Sequence, residues 1–192
     1  MSDSARLEAT VSDLRNRMME VGCVFEFTLQ GLPIGVQVSE STHRHALERL
    51  FESLRQRYAQ HRSSMIASDP SLKNLTFFAL EFDTSPATAT PVNAFEIATD
   101  GSSWLARLQQ AFIDPPYGSR ADAALFAEFC AVVGLESNAE VLDWVGDMDA
   151  EPERSAWSNY FDIGKEWWGI WCATIWNPTT RTLAAITASS TD

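Results

Sequence analysis

Two carboxylates, Asp162 and Glu166, stand among aromatic residues in the stretch WSNYFDIGKEWWGIWCATIW, residues 157–176. A carboxyl pressed against a Trp face has its pKa raised, and paired acids held in different environments can divide acid and base work between them. This pair is therefore the chain's candidate for catalysis on a sugar-like substrate, which would require both acids to face one pocket. Lys165 lies between them in sequence, and a salt-bridged turn accounts for the same residues. The other chemistry-bearing types fall short of a site. His43 and His45 are two apart, so a helix points them to different faces, and no acid stands at ligand spacing to them or to His61. All three read as solvated helix residues, with no metal and no cofactor expected. Cys23, Cys130 and Cys172 lack CxxC spacing and lie in apolar surroundings, which suits buried free thiols in a reducing cytoplasm. There is no GxSxG elbow, and Gly31 and Gly35 lack the Lys and Ser/Thr of a phosphate loop. No catalytic residue is assigned.

The string IDPPYG, with Asp114, Pro115, Pro116 and Tyr117, is similar to the catalytic loop of amino-methyltransferases acting on DNA adenine, where an aromatic stacks on the flipped base. Such a loop follows a buried parallel strand, whereas WLARLQQAF before it is spaced like a helix. No GxG exists for a cofactor loop. A two-proline turn after a helix explains the string.

Charge and aromatic content point instead to binding. The formal net charge is −12. It arises entirely after residue 68, where 18 acids meet six bases, while residues 1–68 hold eight of each. Between 136 and 166 nine acids face only Arg154 and Lys165. Such a field repels nucleic acid and anionic membranes and steers a basic protein toward it. Five of the seven Trp residues lie in 157–176. Trp and Tyr concentrate at interface hot spots as well as in cores. The expected contact residues are Asp143, Asp147, Asp149, Glu151 and Glu153 with Trp157 and Tyr160 as anchors, joined by Asp162 and Glu166.

The elements that must position these residues follow from periodicity. Leu7, Val11, Leu14 and Met18 form one stripe of a helix ended by Gly22. Residues 23–29 and 34–38 read as a strand pair joined by a hairpin turn. A long helix runs from an N-cap at Thr42 to about Met65, burying Leu47, Leu50, Phe51, Leu54 and Tyr58. LTFFALEFD (75–83) reads as a central strand, and 84–93 as a Pro/Thr loop that marks an internal division if the chain has one. A short strand is expected at 95–99. A helix capped by Ser102 or Ser103 runs to Phe112, and another from Ala121 to Val133 stops at Gly134. Ser137 to Glu140 has capping-box spacing, predicting a short helix that carries Val141, Leu142 and Trp144. Strands at 166–176 and 181–189, turned at Asn177 to Thr180, form a Trp-rich hairpin whose first strand is apolar on both faces and so is central. The mixture predicts one α+β domain, mainly an antiparallel sheet with four to five helices.

WSNYFDIGKEWWG followed by TIWNPTTRTLAAITASSTD resembles the C-terminus of a group of small bacterial proteins. That group shares a W-S-x-Y-F-x-x-G-x-E-W-W-G string and a hairpin ending A-S-x-T-D. AFIDPPYG likewise resembles the group's A-F-x-x-P-P-Y-G. The resemblance covers the chain from about Ala111 onward, and no chemistry is attached to it. In size and acidity these proteins are similar to immunity proteins of bacterial toxin systems. That implies a cytoplasmic, cofactor-free inhibitor of a basic toxin, and it implies a structural role for the Asp114–Tyr117 string. The alternatives are an enzyme built on Asp162 and Glu166 and a self-associating domain with the Trp hairpin as a homodimer interface.

Overall fold

The two strands β4 (Ile170–Asn177) and β5 (Thr182–Ser189) are buried along nearly their whole length, on both faces. A sheet region of that kind needs cover on both sides, and it receives it. The computed structural model describes residues 3–99, 101–115, 118–162, 164–167 and 169–189, with side chains from residue 7 onward except those of Glu166 and Trp167. Within it, the hairpin β4–β5 pairs Ile170 with Ser189 at one end and Asn177 with Thr182 at the other. The Asn177 side chain shapes the turn by accepting from the backbone N–H groups of Thr179 (2.9 Å) and Thr180 (3.1 Å). The sheet is completed by β1 (Glu26–Gly31), β2 (Thr90–Val92) and β3 (Glu140–Asp143) in the order β1-β5-β4-β3-β2, every neighbour antiparallel. The protein is thus α+β, as its patterning predicts.

Odd and even positions of the hairpin feed two separate cores. Ala173, Ile175, Ala184, Ile186 and Ala188 face α1 (Asp3–Glu20), α3 (Trp104–Ile113) and α4 (Ala123–Val133). Cys172, Trp176, Leu183 and Ala185 face α2 (Glu40–Ser68) and the chain around Leu80, Trp144, Trp157 and Phe161. The alanines on β5 let both helical layers approach the sheet. Phe51 of α2 is fully buried with its ring 4.8 Å from Trp157, 5.6 Å from Tyr160 and 5.8 Å from Phe161. Caps fix the helix starts. Ser103 Oγ accepts from Ala106 N (3.1 Å), Asp122 Oδ1 accepts from Leu125 N (2.8 Å), and Gly134 closes α4 with φ +73°. Among the described residues no helix is long and apolar enough to cross a membrane.

Several expected elements are replaced, each for a local reason. Thr42 is not the N-cap of α2. Ser39 is, and Thr42 Oγ1 accepts from the Ser39 N–H at 3.2 Å in a capping box. Residues 34–38 form no strand, because the Arg181 guanidinium takes the carbonyls of Leu32, Pro33 and Val36 and leaves Ile34 93% exposed. The partner of β1 is β5 instead. Residues 75–83 are not a central strand either, since the hairpin occupies the centre. They run extended over the surface beside α2, with the Phe78 ring 5.4 Å from Tyr58 and one bridge from Phe82 to Ser158. Residues 95–99 contribute only a bridge from Ile97 to Ser103. The helix expected after Ser137 is strand β3, with Val141 buried in one core and Leu142 in the other. That split is period two, and Asn138 Nδ2 is tied to Thr179 Oγ1 (2.7 Å) at the β4–β5 turn.

Candidate functional site

The acidic segment begins where β3 ends. Asp143 turns its carboxylate back to accept from Val145 N and Gly146 N, both at 2.8 Å, which bends the chain off the sheet. Asp147 repeats the device on Asp149 N (2.9 Å) and Ala150 N (3.1 Å). A 3₁₀ turn, Pro152–Ser155, then brings Arg154 inward. Its guanidinium donates to Glu151 Oε2 (3.0 Å), to the Asp143 carbonyl (3.0 Å) and to the Thr88 carbonyl (3.1 Å), leaving the side chain 14% exposed. Gly146, at φ +64°, makes this possible, because a Cβ there would collide with the Arg154 and Glu151 side chains. The result is a loop whose one cation is folded under it, while Asp147, Asp149, Glu151 and Glu153 are exposed and Asp143 is half-buried.

Three surface hollows adjoin this loop and share walls. The first, of about 420 Å³, includes Asp143, Asp147 and Arg154. The second, of about 280 Å³, includes Glu153, Arg154, Ala156 and Trp157. The third, of about 420 Å³, includes Ala156, Trp157, Asp162, Glu81 and Asp83. Arg154 joins the first two, and Ala156 with Trp157 joins the last two, so the carboxylates line one continuous trough. Glu81 and Asp83 were not singled out in the sequence, because they sit in a segment that reads as buried strand. Ser158 and Asn159 hold them here. Asn159 Oδ1 accepts from Glu81 N (2.9 Å), Asn159 Nδ2 donates to the Ala79 carbonyl (2.9 Å), Ser158 Oγ donates to the Glu81 carbonyl (3.0 Å), and Asp83 N donates to the Trp157 carbonyl (2.8 Å). Hydrogen bonds from Ser85 hold the Asp83 carboxyl below the usual carboxylate range.

The aromatic anchors are not where the sequence reading puts them. Trp157 is 6% exposed and Tyr160 7%, both packed on Phe51 and Phe161 in the α2-side core. Trp157 Nε1 donates to the Trp144 carbonyl at 3.3 Å. Apolar contacts on every side leave these rings no way to project into a partner, and only an edge of Trp157 reaches the trough floor. Burial also drives the Tyr160 hydroxyl pKa well above its ordinary value. Asp162 is exposed, 4.0 Å from Lys165 Nζ. The acids it lines the trough with are Glu81 and Asp83, while the Glu166 side chain lies outside the described residues.

A second constellation has the outline of a catalytic triad. His43 Nδ1 is 2.8 Å from Thr174 Oγ1, and His43 Nε2 is 3.7 Å from Glu140 Oε1. It cannot act as one. His43 and Thr174 are fully buried, and Thr174 Oγ1 already accepts from Trp144 Nε1 at 2.9 Å. Desolvation lowers the His43 pKa to about 4, so the ring is neutral, and the expectation of a solvated His43 is corrected. The thiols are equally quiet. Burial pushes Cys23 and Cys130 up to about 12 and Cys172 well above its ordinary value. Among the described residues no three His, Cys, Asp or Glu gather as a metal-binding group. Asp114 caps the end of α3, accepting from Gln110 Nε2 at 3.2 Å; Pro116 and Tyr117 lie outside the described residues. The element before this string is thus a helix, not the parallel strand a base-methylating loop requires.

No family model and no curated protein matches the chain. Among solved structures, two crystal forms of citrus MAF1 are similar over 92% of this chain. One has a TM-score of 0.35 at 12% identity over 97% of its own length, the other 0.36 at 11% over 96%.

Proposed function

We propose that this protein is a binding module that captures a basic protein partner on its acidic trough, most concretely an immunity-type inhibitor that covers a basic toxin's substrate groove. The observation that carries the reading is the disposition of charge in 143–162. Arg154 is spent on Glu151 and two backbone carbonyls, and Lys165 lies beside Asp162, while Asp147, Asp149 and Glu153 remain exposed. Fixed carboxylates of one sign accelerate encounter with a basic surface and suppress neutral or acidic competitors. With Trp157 and Tyr160 in the core, the aromatic rings act as the rigid floor beneath the acids rather than as anchors.

The test is capture of partners by the tagged protein from its host's lysate at low and high salt, followed by association kinetics with the partner retained. A stoichiometric basic protein whose association rate falls steeply with salt supports the reading. The double variant Asp147→Lys/Asp149→Lys should slow that association by about ten-fold or more at low salt without changing the unfolding temperature by more than a few degrees. An association rate indifferent to both salt and the variant removes the proposal.

A further inference from the structure

The first hollow carries both signs of charge, which a surface for a purely basic partner does not need. From α3 come Trp104 and Arg107, three residues apart and so on one helix face. Trp104 is 94% buried (6% exposed), and its indole N–H has no hydrogen-bond acceptor in the protein. Arg107 is exposed and has no carboxylate within ion-pair distance among the described residues. The turn after β3 supplies Asp143 and Asp147, each using one carboxylate oxygen on backbone N–H groups. Val92, Ile170 and Trp171 add apolar wall, with the Trp104 and Trp171 rings 5.8 Å apart and edge-on. A buried indole N–H left unpaired costs about 1–3 kcal/mol, so an acceptor delivered to that wall gains what the folded protein alone forgoes.

We infer that this cavity is a binding site for a free α-amino acid with an apolar, aromatic side chain. The carboxylate goes to Arg107 and the Trp104 N–H, the ammonium to Asp143 and Asp147, and the side chain against Trp171 and Val92. Each single-charge alternative meets a wall of its own sign: a cation faces Arg107, and an anion faces the two carboxylates. The volume of about 420 Å³ lies within the ~300–1,000 Å³ range of small-molecule pockets. The site does not rest on the basic-partner reading. Arg107 lies outside the acidic set, so Arg107→Ala separates the two.

The experiment is isothermal titration calorimetry of the full chain with L-phenylalanine, phenethylamine and 3-phenylpropanoate, on wild type and Arg107→Ala. Binding of L-phenylalanine, with each single-charge analogue weaker by about ten-fold or more, is the expected result. Arg107→Ala should weaken L-phenylalanine by a similar factor, leave phenethylamine unchanged or tighter, and keep the circular dichroism spectrum of wild type. Asp143→Asn is the complementary variant, weakening the amine and sparing the acid. No heat from L-phenylalanine up to about 10 mM, equal affinity for all three compounds, or an Arg107→Ala protein that binds L-phenylalanine like wild type overturns the inference.

Discussion

Acidification should unload the fold through His43. This ring is fully buried between α2 and β4, bonded to Thr174 through Nδ1, with Nε2 lacking a hydrogen-bond partner in the protein. Its pKa falls from 6.5 to about 4 because burial penalises the imidazolium. The unfolded chain therefore binds the proton first, and stability drops as pH falls below about 6.5. With those two values, the linkage relation gives a loss of about 2 kcal/mol at pH 5 and about 3 kcal/mol at pH 4, relative to pH 8. The loss levels off below pH 4, once the folded protein is protonated too. Urea unfolding of wild type and His43→Gln at pH 8, 7, 6, 5 and 4 isolates the contribution. Gln keeps a polar partner for Thr174 and cannot titrate. The wild-type curve should fall more steeply than the variant's by the amounts above, with the gap opening between pH 6.5 and 4. Parallel curves would refute the argument that burial alone keeps this imidazole neutral.

Two further substitutions test the packing around the site. Thr174→Val removes the oxygen shared by Trp144 Nε1 and His43 Nδ1 while keeping the shape, so two buried polar groups lose their partner; a loss of about 3 kcal/mol in chemical unfolding is expected. Gly134→Ala forces a Cβ onto a residue at φ +73°, 3.0 Å from Asn177 Cβ and 3.2 Å from Thr182 Oγ1. That should cost about 1–2 kcal/mol or more, seen as a lowered midpoint of thermal unfolding.

What could be read from the sequence was whatever depended on local periodicity and end signals. The stripe Leu7–Met18, the Ser103 cap, the Gly134 stop and the two-faced hairpin at the C-terminal end all declare themselves within a few residues. The misread elements depended on distant partners. Ile34 and Val36 alternate like a strand, but a guanidinium from residue 181 holds that backbone. Val141 and Leu142 sit behind a plausible capping box, and only pairing with β4 makes them strand. The acids at 147–153 were visible because charge leaves no ambiguity of period. Glu81 and Asp83 were hidden by the apolar run around them. Trp157 and Tyr160 illustrate the converse. Composition shows that large rings cluster with acids, but not which side of the backbone they take. Arg107 had no local pattern at all, and its role emerges only from α3 lying beside the turn after β3.

The position of β5 has a consequence for how the chain is made. β5 lies between β1 and β4, so Phe27 finds its register only against Ile186, more than a hundred residues later in synthesis. Until that strand leaves the ribosome, β1 has no neighbour, β4 has one open side, and the apolar faces of α1 and α2 lack the alanine-lined floor they close on. The nascent chain thus carries its most hydrophobic helical faces uncovered through most of translation, in the state that chaperones recognise and that aggregates when they fail. For the same reason, a chain cut in the loop at 84–93 would leave β1 in one fragment and its only partner strand in the other. The two halves would have to assemble around β5 before either could fold.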